Sequence, residues 1–354
     1  MAEYVTNTWY PLTWSRDVGT ALGKHRILER DVVVYRKADG SVAALEDLCP
    51  HRFLPLSMGA RKGDDVQCGY HGMTFDGAGR CVRIPGQDGP PPVISVPSFP
   101  TTENMGLVWI WMGDPAKADP ATVFDLPQYH SPEWSAVEGD ALRIEANYLN
   151  LADNLCDPAH VSFVHLSTLG NAASEDIPVQ HDTFDETVLT WRWVLDAPPI
   201  PLFAKYGNFP GNVDRWHYYH YLAPSIAIID FGTADVAAGA PNGNRNDCMQ
   251  IFACHFMTPV DEHTSIDHWL HVKNFPADEA TNKRLSDDFR VAFAEDKAVL
   301  EAIELNEQAH AGRRKARIAI DVAPTKMRRL LDRMIAGDAE RVNRAPRVRA
   351  LEPA

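Results

Sequence analysis

The sequence predicts an α+β chain in two parts: an all-β unit over residues 1–117, then a unit over 118–354 built on an antiparallel sheet with flanking helices. Three observations predict it. Up to about residue 115 the apolar residues fall in short runs split by turn residues. A Pro- and Asp-rich run from Gly113 to Pro132 then breaks the pattern and reads as a linker. Beyond it, runs rich in Val, Ile, Trp and Tyr alternate with segments of helical spacing.

In order, Asp31 to Arg36 and Ser41 to Leu45 read as strands joined by a hairpin at Asp39-Gly40, because Asp-Gly supplies the positive φ that such turns need. Leu107 to Met112 (Leu-Val-Trp-Ile-Trp-Met) is apolar on both faces and reads as a buried strand. Glu145 to His165 carries Leu149, Leu151 and Leu155 at helical spacing. Residues 186–195, 214–232, 249–257 and 265–273 read as strands. Residues 278–308 read as one long helix with an apolar stripe of Phe289, Val291, Phe293, Val299, Leu300 and Ile303. Ile318 to Asp321 is a short segment and Pro324 to Met334 a final helix. The last fifteen or so residues carry little apolar content and are expected to fray.

Composition bounds the function. The 34 Lys and Arg against 48 Asp and Glu give a net charge of −14, which argues against nucleic acid or an anionic membrane as the main partner. No apolar run reaches the length of a membrane span. Met1-Ala2-Glu3-Tyr4 lacks the basic and apolar regions of a signal peptide. The six cysteines (Cys49, Cys68, Cys81, Cys156, Cys248, Cys254) are too sparse for a disulfide framework, so a reducing cytoplasm is expected.

Four residues stand out first. Cys49-Pro50-His51 is followed, after sixteen residues, by Cys68-Gly69-Tyr70-His71-Gly72. Two thiolates and two imidazoles suit either a single tetrahedral zinc or a [2Fe–2S] cluster in which the cysteines hold one iron and the histidines the other. A zinc finger spends one loop on two Cys and a helix on two His. Here each loop contributes one of each, between short strands, with Pro50, Gly69 and Gly72 making tight turns; this mixed arrangement favours the cluster. Cys81 reads as a plain buried thiol.

The second group lies in Asp153-Asn-Leu-Cys-Asp-Pro-Ala-His-Val-Ser-Phe-Val-His165. Asp157 and His160 share a helix face at i, i+3, but His160 and His165 diverge by about 140° on an ideal helix. Both reach one metal only if the helix bends or ends between them, and Pro158 offers a break. Two histidines and a carboxylate with open positions form the facial triad of non-haem Fe(II) oxygenases. By itself such a pair is more often unrelated to metal. The cluster upstream changes this, because it delivers one electron at a time and needs an acceptor.

With both groups in view, the chain resembles the oxygenase component of the Rieske non-haem iron oxygenases, closest to the vanillate and dicamba O-demethylases, over nearly its whole length. The resemblance rests on Asn7-Thr8-Trp9-Tyr10, Cys49-Pro50-His51-Arg52, Cys68-Gly69-Tyr70-His71-Gly72, Asp153-Asn154-Leu155-Cys156-Asp157, Val213-Asp214-Arg215-Trp216 and Glu295-Asp296, with a looser likeness from Ile320 through Ala336. Departures are Met73, where relatives have Trp or Leu, and Cys156, where they have Met. The resemblance implies a Rieske domain followed by a helix-grip-like catalytic domain. It implies one [2Fe–2S] cluster on Cys49, His51, Cys68 and His71 and one mononuclear Fe(II) on His160, His165 and Asp296. It implies Asn154 beside the iron, and Asp157 bridging to a cluster histidine, His71, of a neighbouring subunit in a head-to-tail homotrimer. Read from the residues alone, Asp296 is one carboxylate in a charged helix, placed so that it can turn inward.

The implied activity is O₂- and NADH-dependent monooxygenation, with electrons from a separate flavin/ferredoxin-type reductase, and oxidative O-demethylation of a methoxy-aromatic acid such as vanillate with release of formaldehyde. Methyl hydroxylation of an arylsulfonate, N-demethylation or a dicamba-like substrate are alternatives within the class. An electron carrier without catalytic iron and a zinc-stabilised binding module are alternatives outside it. By position, Asp230 and His255 are substrate candidates, and Lys205, His217 and His220 are candidate partners for an aryl carboxylate. Residues 313–349 carry twelve Lys/Arg against four Asp/Glu, a basic segment suited to docking an acidic reductase domain.

Overall fold

The computed structural model describes residues 4–88, 91, 93–245, 247–337 and 346–348. The expected frayed tail lies outside these apart from 346–348, as do Arg341, Arg344 and Arg349 of the basic segment. Two compact units emerge. One comprises the residues up to Val123 together with Thr258–Glu262, the other Phe124–Met257 and the residues from His263 on. The division falls inside the Pro- and Asp-rich run, whose Asp114 and Asp119 side chains cap short 3₁₀ turns. Among the described residues no helix is long and apolar enough to cross a membrane.

The first unit is all β. Thr8–Trp14 pairs with Leu107–Met112, which pairs in turn with Thr101–Asn104. A second sheet orders Gly23–Ile27, Arg30–Arg36, Val42–Glu46 and Ser98–Phe99. The Asp39-Gly40 turn forms as expected, with Gly40 at φ +86° and Asp39 Oδ1 accepting from the Ser41 amide. Leu107–Met112 is buried along its whole length, which explains the absence of alternation in its sequence. A third, small sheet (Ala60–Lys62, Asp65–Gln67, Thr74–Phe75, Cys81–Arg83) carries the two Cys/His loops.

The second unit is a seven-stranded antiparallel sheet: β1 (Ser135–Ile144), β2 (Gln180–Phe184), β3 (Thr187–Ala197), β4 (Val213–Leu222), β5 (Ile226–Asp235), β6 (Met249–Asp261) and β7 (Thr264–Lys273). Its spatial order is β1-β7-β6-β5-β4-β3-β2. The run 214–232 is a hairpin rather than one strand, turning at Ala223-Pro224-Ser225. Five helices accompany the sheet in the argument that follows: α1 (Tyr148–Leu155), α2 (Val161–Val164), α3 (Pro201–Tyr206), α4 (Glu279–Ala309) and α5 (Val322–Ala336).

Two helical expectations change. The segment 145–165 is not one helix. α1 ends at Leu155, a turn containing Pro158 follows, and α2 is a single turn flanked by His160 and His165. In α4 the apolar stripe splits: Phe289, Phe293 and Leu300 are buried, whereas Val291, Val299 and Ile303 face solvent. The buried face continues through Asp296 and Glu304 at helical spacing (289, 293, 296, 300, 304), so Asp296 points inward because it shares the stripe that packs on the sheet. Phe289 stacks on His271 with ring centroids 3.6 Å apart, and Phe293 meets Trp269 at 5.1 Å and His255 at 5.0 Å. Each of these phenylalanines contributes about 1.5–3 kcal/mol of burial, and together they fix the register of the helix that carries Asp296.

Candidate active site

The first site is built from two loops on the small sheet. The Cys49 amide donates to Leu54 O at 2.9 Å, and the Cys68 amide to Met73 O at 2.8 Å, so each loop closes on itself. Asp47 clamps the first loop by accepting from both the amide and the hydroxyl of Ser57 at 2.6 Å. Gly72 sits at φ +71°, and a Cβ on Gly69 would lie 2.9 Å from Met58 O, so both positions require glycine. Cys49 and Cys68 are buried, while His51 and His71 are exposed, their rings 4.5 Å apart. Burial pushes the Cys49 thiol up, and the neighbouring Cys68 thiol adds to this. The paired thiols lie beneath the paired imidazoles. That segregation fits a two-iron cluster with its histidine-held iron at the surface.

The second site gathers His160, His165 and Asp296, whose ligating atoms all lie within 4.8 Å of one another. The divergence expected of His160 and His165 is resolved at the helix end. The Pro158 turn comes before both residues, which bracket the single turn of α2, and their rings lie 5.3 Å apart. Both Nε2 atoms face Asp296 Oδ1, at 3.6 Å from His160 and 3.1 Å from His165. Nδ1 of His165 is taken by Glu295 Oε2 at 2.8 Å, which leaves Nε2 for a metal. Burial raises the Asp296 carboxyl, but the hydrogen bond from His165 and the charges of both histidines bring it below its ordinary value. Burial lowers the His165 imidazole, and the hydrogen bonds and charges of Asp296 and Glu295 more than reverse this. The donor set, two neutral-capable imidazoles and a carboxylate held ionised, suits Fe(II).

Asn154 Nδ2 donates to Asp296 Oδ1 at 3.0 Å, so the asparagine orients the carboxylate. Asp157 accepts from the amides of Ala159 (2.7 Å) and His160 (3.3 Å), and its carboxylate lies 3.7 Å from His160 Nδ1. It lines an open groove with His160 and residues of α1, α4 and α5.

The substrate candidates separate. The β5–β6 register pairs Asp230 with Phe252 and Ala227 with His255 without a break, so Asp230 and His255, an odd number of residues off register, lie on opposite faces. His255 is on the inner face, against Phe293 of α4, with Nδ1 bonded to Asp267 at 2.7 Å. Asp230 is on the outer face. It accepts from Trp216 Nε1 (2.9 Å) and Gln250 Nε2 (2.8 Å), and burial pushes its carboxyl up to about 6. Asp230 is therefore a buried structural carboxylate away from the iron triad. His220 shares its outer face, and Lys205 is spent on Asp288 at 2.6 Å; of the three carboxylate partners only His217 faces inward. Linear reading missed Glu295 as a partner of His165, although it adjoins Asp296. It also missed Arg192, whose Nη2 donates to Pro158 O at 2.7 Å and ties the histidine turn to β3; no local pattern marks such a contact.

A surface-edged Cys₂His₂ pair of loops and an interior His₂-carboxylate triad in one chain define a Rieske non-haem iron oxygenase. The chain belongs to the vanillate O-demethylase oxygenase family: residues 144–337 match its C-terminal domain, and residues 8–100 match the Rieske [2Fe-2S] domain. Among curated relatives, the toluene-4-sulfonate monooxygenase iron-sulfur subunit of Comamonas testosteroni is 37% identical over 95% of this chain and 98% of its own length. The vanillate O-demethylase oxygenase subunit of a Pseudomonas strain is 31% identical over 96% and 97%. Dicamba monooxygenase bound to dicamba superposes with a TM-score of 0.84 at 31% identity, over 96% of this chain and all of that one. The protein is thus an oxygenase component with a Rieske [2Fe–2S] cluster and a mononuclear iron as its cofactors.

Proposed function

We propose that this chain is the terminal oxygenase of an O₂- and NADH-dependent demethylase that removes the O-methyl group of a methoxybenzoate such as vanillate. The observation that carries this is the iron triad beside the inner face of a sheet on which His255 Nε2 and both nitrogens of His271 are buried and make no hydrogen bond within the protein. His160, His165 and Asp296 would hold the iron, and Cys49, Cys68, His51 and His71 the cluster. Bound there, the two groups supply single-electron relay and oxygen activation. The reaction consumes O₂, NADH and a proton. One oxygen atom enters the methyl carbon, the hemiacetal collapses to phenol and formaldehyde, and the other atom leaves as water.

The protein residues position and insulate. Asn154 and Glu295 orient two ligands from behind, and Phe289 and Phe293 keep water from the sheet. Exposed Phe53 (68%), Met58 and Tyr70 surround the exposed His51 and His71, which supports electron entry by contact with another protein surface. In the reading taken from the family, that surface is the Asp157 groove of a neighbouring subunit in a trimer, with Asp157 meeting His71. The exposed Arg329 and Arg333 of α5 remain available to an acidic reductase, whereas Arg328 is engaged by Asp153 and Lys315 by Glu307.

A second reading, hydroxylation of the methyl group of an arylsulfonate, is supported by the 37% identity to the toluene-4-sulfonate subunits. The test is a panel of methoxybenzoates and toluene-4-sulfonate with a surrogate reductase, scored for O₂ uptake, formaldehyde and hydroxymethyl product. Formaldehyde from a methoxybenzoate supports demethylation. Oxygen uptake with toluene-4-sulfonate alone transfers the function to the second reading, and uptake with neither overturns both.

A further inference from the structure

Two arginines lie buried on the inner face of the catalytic sheet with no ion pair to a carboxylate among the described residues. Arg215, on β4, is 0% exposed; its Nη2 donates only to the neutral Asn171 Oδ1 at 3.1 Å, and its Nε and Nη1 have no partner. Arg192, on β3, is also buried, and its two terminal nitrogens donate to the carbonyls of Ser174 and Pro158, both at 2.7 Å. Burial and then the repulsion of Arg192 lower the Arg215 guanidinium to about 10. A buried cation with free donors and a like charge beside it is a costly arrangement unless an anion completes it.

The neighbours point the same way. Thr233 is directly opposite Arg215 in the β4–β5 register, so it shares its face, and its hydroxyl is buried without a partner. His217, two residues along β4 on the same face, has an unpartnered Nδ1 and is kept neutral by burial and by the two arginine charges. Two residues further, Tyr219 lies near enough to Asp296 for the carboxylate charge to act on its phenol. The row Arg215, His217, Tyr219 thus runs from unpaired donors to the iron triad. An anionic aromatic held at the Arg215 end of this row extends along the strand toward Tyr219 and the triad.

We infer that Arg215, aided by Thr233, is the anion-recognition group of the substrate site and takes the carboxylate or sulfonate of the aromatic substrate. This rests on the function proposed above. The experiment is anaerobic calorimetry on the holoprotein with toluene-4-sulfonate and 4-methoxybenzoate, each paired with its neutral amide, toluene-4-sulfonamide and 4-methoxybenzamide. In the wild type at least one anion binds about tenfold or more tighter than its amide. In Arg215→Met that anion weakens about 10–100-fold while the amides change little, as expected for losing a charged hydrogen-bond donor, and Arg215→Lys lies between. Without ligand, Arg215→Met melts no lower than wild type, because an unpaired buried charge has gone; the anion raises the melting temperature of the wild type only.

Anion preference that survives in Arg215→Met overturns the assignment. So does a wild type that binds neither anion, or a variant that loses stability and amide binding together, which makes Arg215 a latch to Asn171. If an anion binds through Arg215 but drives no O₂ uptake, the proposed function falls while the recognition group stands. The ratio of sulfonate to carboxylate affinity tells which oxyanion the site is built for.

Discussion

Glu295 gives a sharp test of how the iron triad is held. Its Oε2 accepts from His165 Nδ1 at 2.8 Å, and its side chain is 29% exposed, so the contact is charge-assisted but partly screened. Glu295→Gln preserves an acceptor and removes the charge; Glu295→Ala removes both and frees the ring to rotate. Loss of such outer partners of metal-bound histidines weakens metal binding about 10–100-fold. The glutamine variant belongs at the lower end, about 1.4 kcal/mol, and the alanine variant at the upper. The assay is Fe(II) competition against a chelator, with the visible absorbance of the [2Fe–2S] cluster as an internal control on the other site. Asp287→Asn, on the same helix but exposed and paired with Lys283 and Arg290, should leave iron affinity within about threefold of wild type, since exposed pairs contribute little. Unchanged iron affinity in Glu295→Ala, or equal loss from Asp287→Asn, would refute the claim that the Glu295 contact orients His165.

Three further outcomes follow from the packing. The Asp230 carboxyl rises from 3.8 to about 6 on burial. The native state therefore binds its proton more tightly than the unfolded chain, the penalty is absent below about pH 4, and it is complete above about pH 6, reaching roughly 3 kcal/mol. Asp230→Asn keeps the acceptor for Trp216 and Gln250, so it should stabilise the protein against urea at pH 8 but not at pH 4, and leave substrate affinity unchanged; weakened substrate binding would return Asp230 to the site. Phe293→Ala removes a ring wedged among His255, Trp269 and Phe289 and should cost about 3–5 kcal/mol, lowering both the melting temperature and the iron content, since Asp296 lies one turn further on. Reversing Arg329 and Arg333 to Glu should slow reduction by the reductase at low salt and flatten its ionic-strength dependence; an unchanged rate and slope would remove α5 as the docking face.

What the sequence determined by itself was mostly what short spacings encode. Cys49-x-His51 and Cys68-x-x-His71 place donors within one loop each, so local chain geometry already restricts what they can hold. For Asp296 the sequence allowed an inward turn without fixing it, because Val291, Val299 and Ile303 join Phe289, Phe293 and Leu300 in one apolar stripe and hydrophobicity does not separate the buried set from the exposed one. Only tertiary structure decided the rest. His160 and His165 reach the triad because they bracket a single helical turn beside Asp296 of α4, a contact between distant parts of the chain, and Pro158 only sets where that turn begins. Asp230 and His255 part company because a strand has a period of two and their register is set by pairing with a neighbour, which no single strand records. Arg215 looks like any polar strand residue until β3, β5 and the loop after His165 close around it. A side chain's type is local, but whether its charge has a partner is a property of the assembled interior.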